Sequence, residues 1–293
     1  MTTKSEWTEP LVLRLIERHR GRAPEAILEA FAEKHLAVSG QHAFPVDVEG
    51  IASLLGIRRR IGDHPFAGRI YAEANGQLVM DLKASDSEPR RRFSCAHEIM
   101  HTAFPGFRKE SRYRADPVVE TYNRARGEEE YLCDVGAAAL IMPRSLVRLD
   151  YSISHGLEAV EQLASDADVS LEAAGNRLTA LSDEPSVFLV MQFGNKPADL
   201  PRIRRGEAVQ SRLRVQYAIV QGMNLYLPKY KSADDDNPAA RALNSGKVER
   251  QTAPLPGGPR GVLFSIEAKA YPRLGPDGEI KRVLAVARPV SKS

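Results

Sequence analysis

Apolar residues recur every third or fourth position through most of the first 180 residues and fall into short, closely alternating runs thereafter, a change of period from helix to strand. Leu11, Leu13, Leu15 and Ile16, then Ala26, Ile27, Ala30 and Phe31, predict helix over residues 9–37, interrupted near residues 21–24 by Gly21 and Pro24. After a loop at 38–45, residues 46–57 predict a short helix that stops at Gly56. Runs 68–74 and 77–82 flank Asn75-Gly76 and predict a hairpin with a type I′ turn, which needs two residues tolerant of positive φ.

Helical spacing returns over residues 90–104, where Phe93, Ala96, His97, Met100, His101 and Phe104 share a stripe that Pro105-Gly106 ends. A polar loop follows to residue 126, then a helix over 128–140. Its middle, residues 133–139, is almost entirely small, so another helix can approach its backbone; the His97 helix is the expected neighbour. Residues 156–181 read as two helices around Asp168-Val169-Ser170, with Ser170 as N-cap of the second, and residues 163–174 are similar to a helix-turn-helix. From Val187 the runs at 187–193, 212–219, 224–227, 261–266 and 282–286 read as strands. The resulting fold class is α+β. A mainly helical domain with a small hairpin or sheet and a helix-turn-helix-like segment is expected over residues 1–184, and a β-rich domain for sensing or partner binding over 185–293.

Composition adds limits. At 43% hydrophobic and 27% charged over 293 residues, the chain has ordinary globular content and enough length for more than one core. No stretch approaches the roughly 20 apolar residues that span a bilayer, and no signal-like apolar core follows the N-terminus. A cytoplasmic protein is the expectation, with Cys95 and Cys133 as reduced thiols. Charge is unevenly spread: residues 201–293 hold 17 Lys/Arg against 8 Asp/Glu, whereas residues 1–200 hold 24 against 30. A basic last third suits an acidic partner or nucleic acid, although a solvated basic surface would look the same.

The chemistry lies in His97-Glu98-Ile99-Met100-His101. Histidines four apart on a helix stand on one face a turn apart, so both imidazoles reach one ion, and the glutamate between them reaches a water on it. Glu98 is then the general base and proton carrier to the leaving amine. For a third ligand the next helix offers Glu128, Glu129 and Glu130, of which at least two are expected to face solvent. Glu130 shares a face with Cys133, Asp134, Ala137, Ala138 and Ile141, the small-residue face turned toward the histidine helix. Asp134, four residues on, can accept a hydrogen bond from the non-ligating nitrogen of His97 or His101 and fix its tautomer. The ion is expected to be Zn²⁺, with Mn²⁺ compatible with the same donors. His64, Tyr71, Tyr122 and Tyr131 are candidates for an oxyanion donor, and the sequence leaves the choice among them open.

Residues 91–101, Arg-Arg-Phe-Ser-Cys-Ala-His-Glu-Ile-Met-His, followed by Glu130-Tyr-Leu-Cys-Asp-Val-Gly-Ala-Ala-Ala-Leu-Ile-Met-Pro143, resemble the ImmA/IrrE family of bacterial and phage metallopeptidases. The resemblance covers residues 45–182. It implies a zincin-like domain with His97, His101 and Glu130 as metal ligands and Glu98 as base. It also implies a protein substrate, a helix-turn-helix DNA-binding repressor cut in a stress or mobile-element response. Two positions depart from the pattern: Ile99-Met100 stands where Leu-Gly is usual, and Gly136 where many members have Phe. The hairpin at 68–82 would offer an edge strand to an extended substrate. The alternative function is a non-proteolytic, zinc-containing transcriptional regulator that binds DNA directly. Within residues 171–181, only Asn176 and Arg177, alongside Glu172, would serve it as readers.

Overall fold

The computed structural model describes residues 7–107, 112–114, 127–275 and 278–290. Packing gathers them into two units: the first runs to Asp150 and also takes in Asp166–Val169, and the second comprises Tyr151–Ser165 and the residues from Ser170 onward. The fold is mixed α+β, helical toward the N-terminus and β-rich toward the C-terminus.

In the first unit the helical periodicity forms α1 (Pro10–Arg18), α2 (Pro24–Ser39) and α3 (Val48–Leu54). The break between α1 and α2 falls where Gly21 takes φ 75°, and Asp47 caps α3 by accepting from Gly50 N at 2.8 Å. Four strands follow in part: β1 (Ile57–Gly62), β2 (Gly68–Ala72) and β3 (Leu78–Lys83), then α4 (Glu88–His101) and β4 (Arg112–Arg114). The unit continues with α5 (Glu128–Ile141) and α6 (Arg144–Asp150). Sheet order is β1-β3-β2-β4, with β1 parallel to β3 and the other pairs antiparallel.

The hairpin β2–β3 forms as expected, but its turn differs. Gly76 N donates to Glu73 O at 2.8 Å and Gly76 has φ 82°, whereas Asn75 is not at positive φ. A turn centred on Ala74 and Asn75 with one left-handed glycine replaces the two-residue type I′ form. Among the described residues the hairpin lies inside the sheet, with β4 pairing along Gly68–Ile70 of β2, so β1 and β4 rather than the hairpin form the edges, contrary to expectation. β1 escapes the hydrophobic pattern because only Ile57 is buried in it. Its arginines are held by ion pairs: Arg58 and Arg60 with Glu73, and Arg59 with Glu49 of α3.

One face of this sheet carries Ile70, Met80 and Leu82, each fully buried, and α4 packs on β2 and β3. On the other side α4 meets α5, which also packs on α2. Residues Ser94 through His101 are consequently all buried, so α4 is a central helix rather than one with a single covered stripe.

The second unit holds α7 (Leu157–Asp166, whose last residue groups with the first unit), α8 (Leu171–Ala180), β5 (Ser186–Gly194), α9 (Leu200–Arg204), β6 (Arg212–Gln221), α10 (Pro238–Ser245), β7 (Glu249–Ala253), β8 (Phe264–Ala270), β9 (Arg273–Gly275), β10 (Gly278–Ile280) and β11 (Arg282–Pro289). Five strands form an antiparallel sheet in the order β6-β5-β11-β8-β7. Val187, Leu189 and Met191 point into one core with Ala239 and Ala242 of α10, while Phe188 points to the opposite face against Gly175 of α8. Covered on both faces, β5 and β11 read as continuous apolar runs. The expected strand at 224–227 does not form. Ser170 does cap α8, its Oγ accepting from Ala173 N at 3.1 Å.

Candidate metal centre

Burial between α5 and the sheet removes the side chains of His97 and His101 from solvent, at 1% and 0% exposure. Their rings stand 5.1 Å apart at 70°, as i and i+4 on one helix face require. From α5, Glu130 reaches both: Oε2 lies 3.2 Å from His97 Nε2 and Oε1 3.5 Å from His101 Nε2. The opposite ring edges are also occupied. His97 Nδ1 bonds to Asp134 Oδ1 at 2.9 Å, and His101 Nδ1 to Glu129 Oε1 at 2.8 Å.

These contacts fix the chemistry of the cluster. An ionised carboxylate only accepts, so each Nδ1 is the donor of its pair, and the ring atom left to serve as a metal ligand is Nε2. Both Nε2 atoms face the Glu130 carboxylate, so nitrogen and oxygen donors of the kind a divalent ion accepts meet at one point. Two ligands of a tetrahedral ion, each at about 2.1 Å, stand about 3.4 Å apart, which the two Nε2–Glu130 distances match. His101 Nε2 is buried and makes no hydrogen bond among the described residues. The residues present therefore fit a divalent ion with nitrogen and oxygen donors.

Contrary to expectation, neither Glu128 nor Glu129 faces solvent; they are 8% and 9% exposed. Glu129 turns to His101, and the Glu128 carboxylate accepts from Thr8 N and Glu9 N, both at 2.8 Å. Glu130 is the most open of the three, with 31% of its side chain exposed. Sequence reasoning missed Glu129. The usable signal was that each of two histidines needs its own acceptor, and Asp134 can serve only one of them.

Glu98 lies on the sheet side of α4, with both carboxylate oxygens buried. It packs against the backbone of Gly68 on β2, where an added Cβ would fall 2.7 Å from Glu98 Oε1; a side chain at 68 would displace the carboxylate. Cys133 is also close, with Sγ 3.4 Å from His101 Nδ1, and His97, His101 and Cys133 can present donor atoms within 4.8 Å of one another. That contact is on the ring edge held by Glu129, away from Glu130. Burial first, and then the carboxylates of Glu130 and Glu129, push the Cys133 thiol well above its ordinary pKa.

The two departures from the family pattern meet in space. A Cβ at Gly136 would lie 2.5 Å from Met100 Sδ and 3.2 Å from Leu28 Cδ1. Met100 occupies the room that Gly136 leaves open.

Of the oxyanion candidates, Tyr71 alternates with Gly68 and Ile70 to the far face of β2, where Arg60 donates to its hydroxyl at 3.2 Å and Arg69 stacks at 4.7 Å. His64 stacks on Phe66 with centroids 5.1 Å apart, and Tyr131 lies against Trp7. Tyr122 is outside the described residues. In α8, Glu172, Asn176 and Arg177 are all buried. Glu172 pairs with Arg282, and Asn176 Nδ2 lies 3.5 Å from Tyr217 OH.

Residues 57–179 match the IrrE N-terminal-like domain, a segment that includes every side chain of the cluster. The radiation response metalloprotease IrrE of Deinococcus radiodurans is 30% identical over 204 residues, 67% of this chain and 60% of that protein. Its counterpart in Deinococcus deserti is 32% identical over 163 residues, 53% of this chain and 54% of that protein. The chain thus spans less than two thirds of the length of these curated relatives. A solved transcriptional regulator of Mycobacterium tuberculosis superposes with a TM-score of 0.55 at 15% identity, covering 95% of this chain and 80% of the other, a likeness of fold alone. No helix among the described residues is long and apolar enough to cross a membrane.

Proposed function

The chain belongs, through residues 57–179, to the ImmA/IrrE family of metallopeptidases, and from that premise we propose that it is a zinc-dependent endopeptidase with His97, His101 and Glu130 as ligands and Glu98 as general base. The observation that carries this reading is the convergence of the buried Nε2 atoms of His97 and His101 on the Glu130 carboxylate. Zinc, when bound, supplies a Lewis acid for the scissile carbonyl and acidifies a water. Glu98 takes the proton of the attacking water and returns it to the leaving amine. Asp134 and Glu129 hold the two rings with Nδ1 protonated. Gly68 leaves room for the base beside β2. Manganese would be accepted by the same donors.

The substrate in this reading is a protein, a helix-turn-helix repressor cut during a stress or mobile-element response. The radiation response in the names of both Deinococcus relatives supports a stress setting. The functional division stays at 184/185, with a peptidase region at 1–184 and a sensing or partner-binding region at 185–293. The family match ends at residue 179, within α8, which supports that boundary even though α7 and α8 pack largely with the second unit. The regulator alternative has less support, because Glu172, Asn176 and Arg177 are buried and three protein ligands beside a glutamate suit catalysis better than a closed structural site.

The test incubates a cell extract with zinc-loaded wild type or Glu98→Gln and maps new protein N-termini. A few wild-type-specific termini, including one in a DNA-binding repressor, are expected, with none from Glu98→Gln despite full zinc content. Equal cleavage by both would sink the mechanism, and salt-dependent DNA binding that survives Glu98→Gln without cleavage would favour the regulator.

A further inference from the structure

Residues 7–9 supply no donor to the metal cluster, yet they close on the start of the helix that carries Glu130. The residue before α5 is Gly127, which has no side chain to cap its own helix. The cap comes instead from 119 residues away: Glu9 Oε1 accepts from Glu128 N at 2.7 Å, and Glu9 Oε2 accepts from Glu129 N at 2.9 Å. These are two of the N–H groups that a helix start leaves unmatched. Glu128 returns the contact at the start of α1, accepting from Thr8 N and Glu9 N at 2.8 Å and from Thr8 Oγ1 at 3.2 Å. Each carboxylate therefore lies at the positive end of the other's helix, and each hydrogen bond is charge-assisted.

Two further features are shaped to this exchange. Gly127 has φ 114°, where side chains are rarely tolerated, and a Cβ on it would stand 3.1 Å from Glu9 Oε1. The Trp7 ring lies 6.3 Å from that of Tyr131, the residue after Glu130.

We infer that residues 7–9 are a positioning element of the metal centre. Glu9 fixes the first turn of α5, and with it the Glu129 and Glu130 carboxylates that face the histidines. Docking of this segment and binding of the ion then favour each other, because any effect of one on the other is reciprocal. The inference rests on the metal reading above and adds to it a requirement that the sequence motif does not contain.

Trp7 is the only tryptophan of the chain, so its emission reports docking without a label. The full-length, chelator-stripped protein is titrated with Zn²⁺ against a competing dye while Trp7 emission is followed. Glu9→Ala should bind Zn²⁺ about five- to tenfold more weakly and show red-shifted Trp7 emission that saturating Zn²⁺ restores. Glu9→Gln, which keeps a carbonyl acceptor, should fall between. Glu128→Ala leaves Glu9 in place and should show the same pair of changes. Unchanged affinity in the Glu9 and Glu128 variants, with or without an emission shift, would overturn the inference alone. A wild type that takes up no Zn²⁺ would overturn the metal reading and this inference together.

Discussion

In the proposed site each imidazole donates a proton on one edge, to Asp134 or Glu129 of a different helix, and would bind the ion through the other. Glu129→Ala and Asp134→Ala are therefore expected to weaken Zn²⁺ binding by about 10–100-fold, measured by chelator competition. Unchanged affinity in both would remove the tautomer argument. Glu98→Gln should keep the ion and lower cleavage by at least about 100-fold. Much of this site was legible, because a four-residue spacing on one helix and a Glu-x-x-x-Asp on the next are direct consequences of the 3.6-residue turn. Glu129 was not legible. Helix-face reasoning sorts residues into one covered side and one exposed side, but the start of α5 is enclosed on two, by His101 and by residues 8–9.

Close approach of elements depends on glycines whose partners lie far away in sequence. At Gly136, Ala is intrinsically better in a helix by about 1 kcal/mol, yet its Cβ would collide with Met100. Gly136→Ala is expected to destabilise the first unit by about 1–3 kcal/mol, and by less once Met100→Ala is present; urea denaturation of the four-member cycle measures the difference. If the penalty is independent of residue 100, the two helices do not share that space. Gly175 meets the Phe188 ring in the same way, with a Cβ only 2.3 Å from it. The small-residue run on α5 announced a close neighbour, but Gly175 stood in the sequence without one. Strand β1 was hidden because its arginines break the alternation, and β7 because Glu249-Arg-Gln-Thr-Ala253 is mostly polar and exposed. The run at 224–227 shows the converse: alternation alone did not supply a pairing partner.

Over the whole chain, the α+β reading holds, helices predominating toward the N-terminus and strands toward the C-terminus, whereas packing divides the chain near residue 150 and gathers most of α7, and α8, with the second sheet. Glu161 of α7 reaches Lys269 Nζ at 2.5 Å and Tyr271 OH at 2.7 Å. Burial alone would raise the Glu161 pKa, but hydrogen bonds from Lys269 and Tyr271, with the Lys269 charge, outweigh it and hold the carboxyl below its ordinary value. A depressed folded-state value gives stability that is present above the unfolded carboxylate pKa and lost as pH falls through the folded one. Thermal unfolding below the ordinary carboxylate range should accordingly be steeper in pH for wild type than for Glu161→Gln; equal slopes would contradict the coupling. The central claim concerns the ion. Elemental analysis of the purified protein beside His97→Ala and Glu130→Ala should find close to one zinc per chain in the first and little in either variant. An intact protein without metal, or variants that keep it, would contradict the account.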